Sequence, residues 1–249
     1  MEIKGSVALV TGANRGLGKA YVEALMNAGA AKVYAAMREP SVFVEDARLK
    51  TLKLDVTSPE DVEAAVRQCP DLTLLINNAG VMLTSPIMAE DAERALRREL
   101  EVNVIGPLRL SRSFAPALKT NGGGAIVNVL SVVSWFVFPF AATYSVSKHA
   151  ALAATEALRI ELNAQKTQVI GVFAGFIDTD MAAQISGSKS KPETVVQKTI
   201  QALHTGVSNV LADQRAEEIW KAMRLNPASM SVQMQAAWTR AKVERAKRD

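Results

Sequence analysis

Tyr144 and Lys148 stand four residues apart in the stretch Thr143-Tyr144-Ser145-Val146-Ser147-Lys148. The stretch reads as part of a helix running on to Asn163, which puts both side chains on one face, one turn apart. A phenol alone is a poor acid or base at neutral pH, because its free pKa is about 10. An ammonium held beside it favours the phenolate and lowers that value. The pair can then exchange a proton with a substrate hydroxyl or carbonyl near pH 7. Tyrosine and lysine also meet at this spacing by chance on exposed helices, so the pair needs support from elsewhere in the chain. Gly12-Ala13-Asn14-Arg15-Gly16-Leu17-Gly18 gives it. This turn lies between a short apolar run, Val7-Ala8-Leu9-Val10, and a helical pattern closed by Gly29. Glycines let a backbone approach a pyrophosphate, and the following helix presents free N–H groups to it. The spacing is G-x-x-x-G-x-G rather than the commoner G-x-G-x-x-G.

The elements that must position these residues alternate along the chain. Strands are expected at residues 7–10, 32–37, 51–56, 71–76, 125–129 and 168–173, with a short last strand at 207–211. Ser58 and Pro59 mark a helix start. A helical stretch spans residues 90–118, with apolar positions Ala95, Leu96, Leu100, Val104 and Leu108, and Pro107 bends or divides it. Residues 176–190 are polar and read as a lid, and two helical pieces, 215–224 and 229–248, follow Pro192's helix. Alternating strands and helices with no linker imply one domain, 1–249, with a parallel sheet between two helical layers. Ligands bind outside the carboxyl ends of such strands. Gly12 to Gly18, Arg38, residues 77–80, Ser131 and Gly175 all fall just past strand ends and therefore converge. Near the end of the second strand an acid binds ribose hydroxyls, whereas an arginine suits a 2′-phosphate. Here the strand ends Met37-Arg38-Glu39, and Glu39 as a displaced ribose acid is the alternative to Arg38 as a phosphate ligand.

Composition excludes several classes. The 249 residues are 49% hydrophobic, enough for one large core. A net charge of +4 is mild and the bases are interleaved with acids, so no nucleic-acid partner is expected. One cysteine, Cys69, excludes an internal disulfide and suits a reducing, cytoplasmic compartment. Only Cys69, His149 and His204 offer soft or borderline ligands, and they are scattered, so no metal is expected. The longest apolar run, around residues 135–142, contains Pro139 and is too short to span a bilayer, and residues 1–10 carry no signal-peptide pattern.

Taken in order, these motifs resemble the short-chain dehydrogenase/reductase family in its single-domain form, over roughly residues 5–212. Thr11-Gly12-Ala13-Asn14-Arg15-Gly16-Leu17-Gly18 is similar to its cofactor turn, Asp55-Val56 to its adenine contact, and Asn77-Asn78-Ala79-Gly80 to the motif that steadies its central sheet. Asn103, Ser131, Tyr144 and Lys148 match its catalytic tetrad, with the family's usual thirteen residues from Ser131 to Tyr144. The resemblance implies a doubly wound parallel sheet, the Rossmann fold, in three α/β/α layers. It implies a nicotinamide cofactor held by the glycine turn, Asp55, Val56, Asn78, Ala79, Gly80, Tyr144, Lys148, Gly175, Ile177 and Thr179. Arg38, with Arg15 in the turn, makes NADP(H) the expected form, because Met37 stands where NAD-binding relatives carry an acid. Ala174-Gly175 departs from the family's usual Pro-Gly.

The expected function is reversible reduction of a ketone or aldehyde to an alcohol. Tyr144 is the proton donor. Lys148 lowers its pKa and holds the nicotinamide ribose. Ser131 binds the carbonyl oxygen, and Asn103 holds a water leading to solvent. Apolar residues between Ser131 and Tyr144, among them Trp135, Phe136, Phe138 and Phe140, point to apolar or aromatic substrates. A non-catalytic NADP-sensing protein on the same fold is the alternative. A homodimer is expected through residues 103–118 and 143–163, with Leu108, Phe114, Leu152 and Leu158 as candidate contacts. A tetramer is less expected, because the helical extension at 213–249 replaces a glycine-rich last strand. His149 is read as structural, and Asp178 and Asp180 as the start of a helix after Gly175.

Overall fold

The computed structural model of the chain describes residues 1–39 and 46–246, with side chains up to Glu244. Seven strands form one sheet: β1 (Val7–Thr11), β2 (Lys32–Met37), β3 (Leu49–Lys53), β4 (Leu74–Asn77), β5 (Ala125–Val129), β6 (Gln168–Phe173) and β7 (Asn209–Leu211). Their order is β3-β2-β1-β4-β5-β6-β7 and every pairing is parallel. Side chains alternate between faces, as a period of two requires. Ala8, Val10, Val33, Ala35, Leu74 and Ile76 enter one core, shared with α1 (Gly16–Asn27) and α6 (Pro192–Thr205). Leu9, Tyr34, Ala36, Leu75 and Ile126 enter the other, under α2 (Pro59–Gln68), α4 (Gly106–Thr120) and α5 (Ala142–Glu161). Burial on both faces explains why these strands read as continuous apolar runs. The strand order reverses between β1 and β4, which opens a crevice above their carboxyl ends.

Several boundaries differ from the sequence reading. β3 ends at Lys53 because Asp55 turns the chain: its carboxylate accepts from the Thr57 N–H and the Thr57 hydroxyl, both at 2.8 Å. β4 starts three residues late, since Leu72 N–H bonds back to the Cys69 carbonyl at 3.3 Å. The stretch at 90–118 divides into α3 (Ala92–Leu100), a π turn (Glu101–Ile105) and α4. Pro107 has no N–H to close an α-helical bond onto the Asn103 carbonyl, and the wider turn absorbs that defect. Ser58 caps α2 as expected, accepting from the Asp61 N–H at 3.1 Å. The final pieces are α7 (Gln214–Leu225) and α8 (Ser229–Ala246). The helix end expected at Arg248 lies outside the described residues. Phe114 and Leu158, offered above as interface residues, are core residues under the sheet. Among the described residues no helix is long and apolar enough to cross a membrane, and no cluster of His, Cys, Asp or Glu is arranged to hold a metal.

Candidate active site

A crevice of about 430 Å³ lies over the carboxyl ends of the strands. It is lined by every residue named above for cofactor binding and by Ser131, Tyr144 and Lys148. Asn103 alone stays behind the wall: it is buried, and a Cβ on Gly80 would stand 3.2 Å from its Oδ1.

The glycine turn is shaped as a cradle. Gly12 and Gly16 have φ of 65° and 51°, in the left-handed region. A Cβ on Gly18 would come within 2.1 Å of the Gly12 carbonyl oxygen, so α1 can start this close to the turn only with glycine there. Asn78 closes the cradle from β4, donating from Nδ2 to the Thr11 carbonyl at 2.8 Å. The Thr11 hydroxyl accepts from the N–H groups of Asn78 and Ala79, both at 3.0 Å. Asn77 steadies the sheet in a buried chain: it donates to Asn128 at 2.8 Å, and Asn128 donates to Thr155 of α5 at 3.0 Å. Such a cradle, with glycines where any side chain would fill the approach, fits a dinucleotide's phosphates.

At the other rim of the sheet Met37 ends β2, Arg38 and Glu39 follow it, and all three line the crevice with Asp55. Burial works against the Asp55 carboxylate, but Thr57's hydrogen bonds and the charges of Arg98 and Arg38 outweigh it and hold its pKa below the ordinary value. Arg98 of α3 lines the same crevice and was not singled out from the sequence. Arg15 pairs with Asp180 at 2.9 Å. That contact corrects the expected helix start after Gly175: a short 3-10 turn, Asp180–Ala182, forms there, and Asp180 reaches back to the glycine turn.

The catalytic candidates meet at the start of α5. Lys148 is buried, its Nζ donates to the Val129 carbonyl at 2.9 Å, and it stands 5.6 Å from the Tyr144 ring centre. Tyr144 keeps part of its surface open to the crevice. Burial raises its phenol above the ordinary value, the nearby Glu99 carboxylate adds to this, and a hydrogen bond with Ser131 opposes both. The lowering expected from Lys148 is not found: burial sets the direction. Burial instead lowers Lys148 itself, from 10.5 to about 8. Ser131 caps the turn Val132–Ser134, but only loosely, with contacts to Val133 N–H and the Ala174 carbonyl at 3.4 and 3.5 Å. Its hydroxyl is free to re-aim. Asn103 exchanges two hydrogen bonds with the Val81 backbone, both 2.9 Å, and donates to Ser147 of α5 at 3.0 Å. His149 is structural, as expected, with Nδ1 2.8 Å from the Ser145 carbonyl oxygen.

Sequence reasoning missed Glu99. It is fully buried, and one carboxylate oxygen accepts from the Leu83 N–H at 2.8 Å. The available signal was its place four residues after Ala95 and four before Asn103, on a buried face. The segment between Ser131 and Tyr144 divides. Val132, Val133, Phe136 and Phe138 line the crevice. Trp135 instead stacks on Phe173, ring centres 4.3 Å apart, and meets Trp220 of α7 at 4.9 Å. Phe140 packs on Trp238 of α8 at 5.3 Å. The extension thus folds back over this segment and adds Arg215 and Met234 to the crevice wall.

Burying Lys148 has a measurable consequence. A lysine whose folded pKa is depressed costs stability wherever the unfolded chain still holds its proton. A shift from 10.5 to about 8 costs about 3 kcal/mol at pH 7, fading as pH rises from about 8 to 10.5. Lys148→Met should therefore raise the ligand-free Tm at pH 7, net of about 1 kcal/mol for the lost bond to Val129, and gain nothing near pH 10.5. A lower Tm at pH 7 would mean the ammonium is well accommodated.

The chain belongs to the short chain dehydrogenase family, whose model matches residues 6–190. A short chain dehydrogenase from Burkholderia cenocepacia, solved in complex with NADP, superposes with a TM-score of 0.90 at 39% identity, covering 94% of this chain and 99% of that one. An oxidoreductase of Staphylococcus saprophyticus is 30% identical over 84% of this chain and 97% of its own. The 3-oxoacyl-acyl-carrier-protein reductase of Vibrio cholerae is 32% identical over 75% and 79%.

Proposed function

We propose that this oxidoreductase uses NADPH to reduce a ketone or aldehyde to an alcohol, reversibly, on apolar or aromatic substrates. The observation that carries the reading is the opening of Ser131, Tyr144 and Lys148 onto the same crevice as the glycine cradle. The cradle from Gly12 to Gly18 holds the cofactor's phosphates, and Arg38 with Arg15 takes the 2′-phosphate. Asp55 and Val56 flank the adenine, Asn78 to Gly80 line the centre, and Gly175, Ile177 and Thr179 line the nicotinamide end. The bound nicotinamide supplies the hydride that the carbonyl carbon receives. Ser131 donates a hydrogen bond to the carbonyl oxygen and stabilises the charge that develops there. Tyr144 gives that oxygen its proton; its raised pKa keeps it protonated across the neutral range, which suits reduction. Lys148 restores the proton. The Asn103 side chain spends both its N–H groups on protein partners, so any water it holds is held through its main-chain carbonyl. Residues 176–190 act as a lid, with the Ile177–Ser190 bridge at its base.

Loss of the NADPH absorbance with a panel of ketones and aldehydes tests the reading. Aryl and long-chain ketones should exceed small polar ones in kcat/KM. A preference for sugars or short charged keto acids would count against this crevice, and cofactor binding without turnover of any carbonyl would favour a sensing protein. We also propose a homodimer through the outer faces of the π turn, α4 and α5, where Ile105, Val146 and Ile160 are exposed. A monomeric mass by light scattering at micromolar concentration would overturn it.

A further inference from the structure

We propose that Arg215 binds an anionic group on the substrate, so that the preferred substrates join an apolar body to a carboxylate or phosphate set well away from the reacting carbonyl. The inference rests on the carbonyl-reductase reading and adds a charge to it. Arg215 lies in the first turn of α7, where the helix dipole disfavours a cation. Its guanidinium forms no hydrogen bond or ion pair with any described residue. Glu218, one turn on, accepts from Gln214 at 2.8 Å, and three other acids of this region have their own partners. Glu217 pairs with Lys198 at 2.7 Å. The Asp213 carboxylate accepts from Ala216 N–H, Gly175 N–H and the Ser190 hydroxyl, at 2.8, 2.9 and 2.9 Å. Asp180 is held by Arg15. Its charge therefore gains neither a partner nor a favourable dipole from the fold.

Its position is defined. A Cβ on Gly175 would meet the Arg215 side chain at 3.0 Å, so the arginine stem lies directly against that glycine. The preceding carbonyl, of Ala174, is the one Ser131 reaches. Arg215 therefore enters the crevice one residue along β6's exit from the candidate oxyanion donor. Val133, Phe136, Phe176, Met181 and Met234 line the same crevice and give it apolar walls. In such surroundings an arginine–carboxylate or arginine–phosphate contact is strengthened and can be bidentate. The cofactor's phosphates are not the better partner. Arg15, Arg38 and the α1 N-terminus already serve them, and Arg38 follows β2, separated from β6 by β1, β4 and β5.

The test compares 2-decanone with methyl-keto acids of similar length, the carboxylate placed at increasing distance from the carbonyl, and with a keto phosphate of matched length. Wild type should favour at least one acid over the ketone in kcat/KM. Arg215→Leu should lower that acid-to-ketone ratio roughly 10- to 100-fold, with Arg215→Lys recovering part of it. A carboxylate and a phosphate arm that differ in the wild type identify which anion the site takes. Binding of the same acids to the NADP complex, read by tryptophan fluorescence through Trp135 and Trp220, should weaken in Arg215→Leu while the NADP Kd holds. Equal slowing of acid and ketone, no acid preference in the wild type, or a weakened NADP Kd would overturn the assignment. Absence of turnover with any carbonyl would instead reject the reductase reading, and the fluorescence titration would still decide whether Arg215 binds the acids.

Discussion

Tyr144→Phe folds, binds NADP and loses turnover by a factor on the order of 10²–10⁴, the usual worth of one acid–base group. Only the phenolic oxygen is removed. The ring keeps its place beside Lys148, and Ser131 loses one hydrogen-bond partner but not its cap. The raised phenol pKa adds a direction to the test. Reduction consumes the protonated form and should hold steady across neutral pH. Alcohol oxidation needs the phenolate and should climb as pH rises. Rates for both directions, with cofactor affinity for the mutant, check this. A mutant retaining more than a few per cent of kcat would remove Tyr144 from the proton-transfer role.

NADPH is favoured over NADH by a factor on the order of a hundred or more. Arg38 and Arg15 can each give a charge-assisted contact of roughly 1.5–3 kcal/mol to the 2′-phosphate. Arg15 must leave Asp180 to do so. That pair is exposed, 70% and 71% at the two side chains, and exposed pairs of this kind are worth at most about 1 kcal/mol. Met37 is buried at the crevice wall and presents no charge to a phosphate. Glu39 lines the same wall and opposes the preference. The double variant Met37→Asp with Arg38→Ile should move toward NADH, because the new carboxylate repels a phosphate and accepts from free ribose hydroxyls. The measurement is kcat/KM for both cofactors on both proteins, with the preference shrinking at high salt. Equal use of both by the wild type would sink the role given to the two arginines.

Local features with a single physical cause were legible in the sequence. β2, β5 and β6 fall where their apolar runs put them, because a strand buried on both faces leaves an unbroken signature. The glycine turn was legible because only glycine tolerates its close approaches. Features set by distant partners were not. The two halves of the aromatic segment look alike in sequence, and only the return of α7 and α8 decides that Phe136 faces the crevice while Trp135 stacks on Phe173. Arg15's partner is Asp180, far along the chain. Glu99 looked like one more charge on α3, since nothing local reveals the Leu83 backbone that takes its carboxylate. The pKa balance at Tyr144 depended on burial, which spacing cannot supply.

The π turn makes the chain's length here matter in a way its composition does not. Each α-helical residue advances about 100° around the axis, and the turn at Glu101–Ile105 carries the equivalent of one residue more than an α turn. It sets α3 and α4 out of phase. Glu99 and Asn103 can then bond to the Leu83 and Val81 backbone, and Asn103 to α5, while Leu110 and Phe114 join the core under the sheet. Deleting one residue between Glu99 and Leu110 would therefore act as a rotation rather than a shortening. The shortened segment would lose the wider turn that accommodates Pro107 and carry either the Asn103 side or the Phe114 side off its partner. In this segment a conservative substitution is a small event and a one-codon deletion a large one.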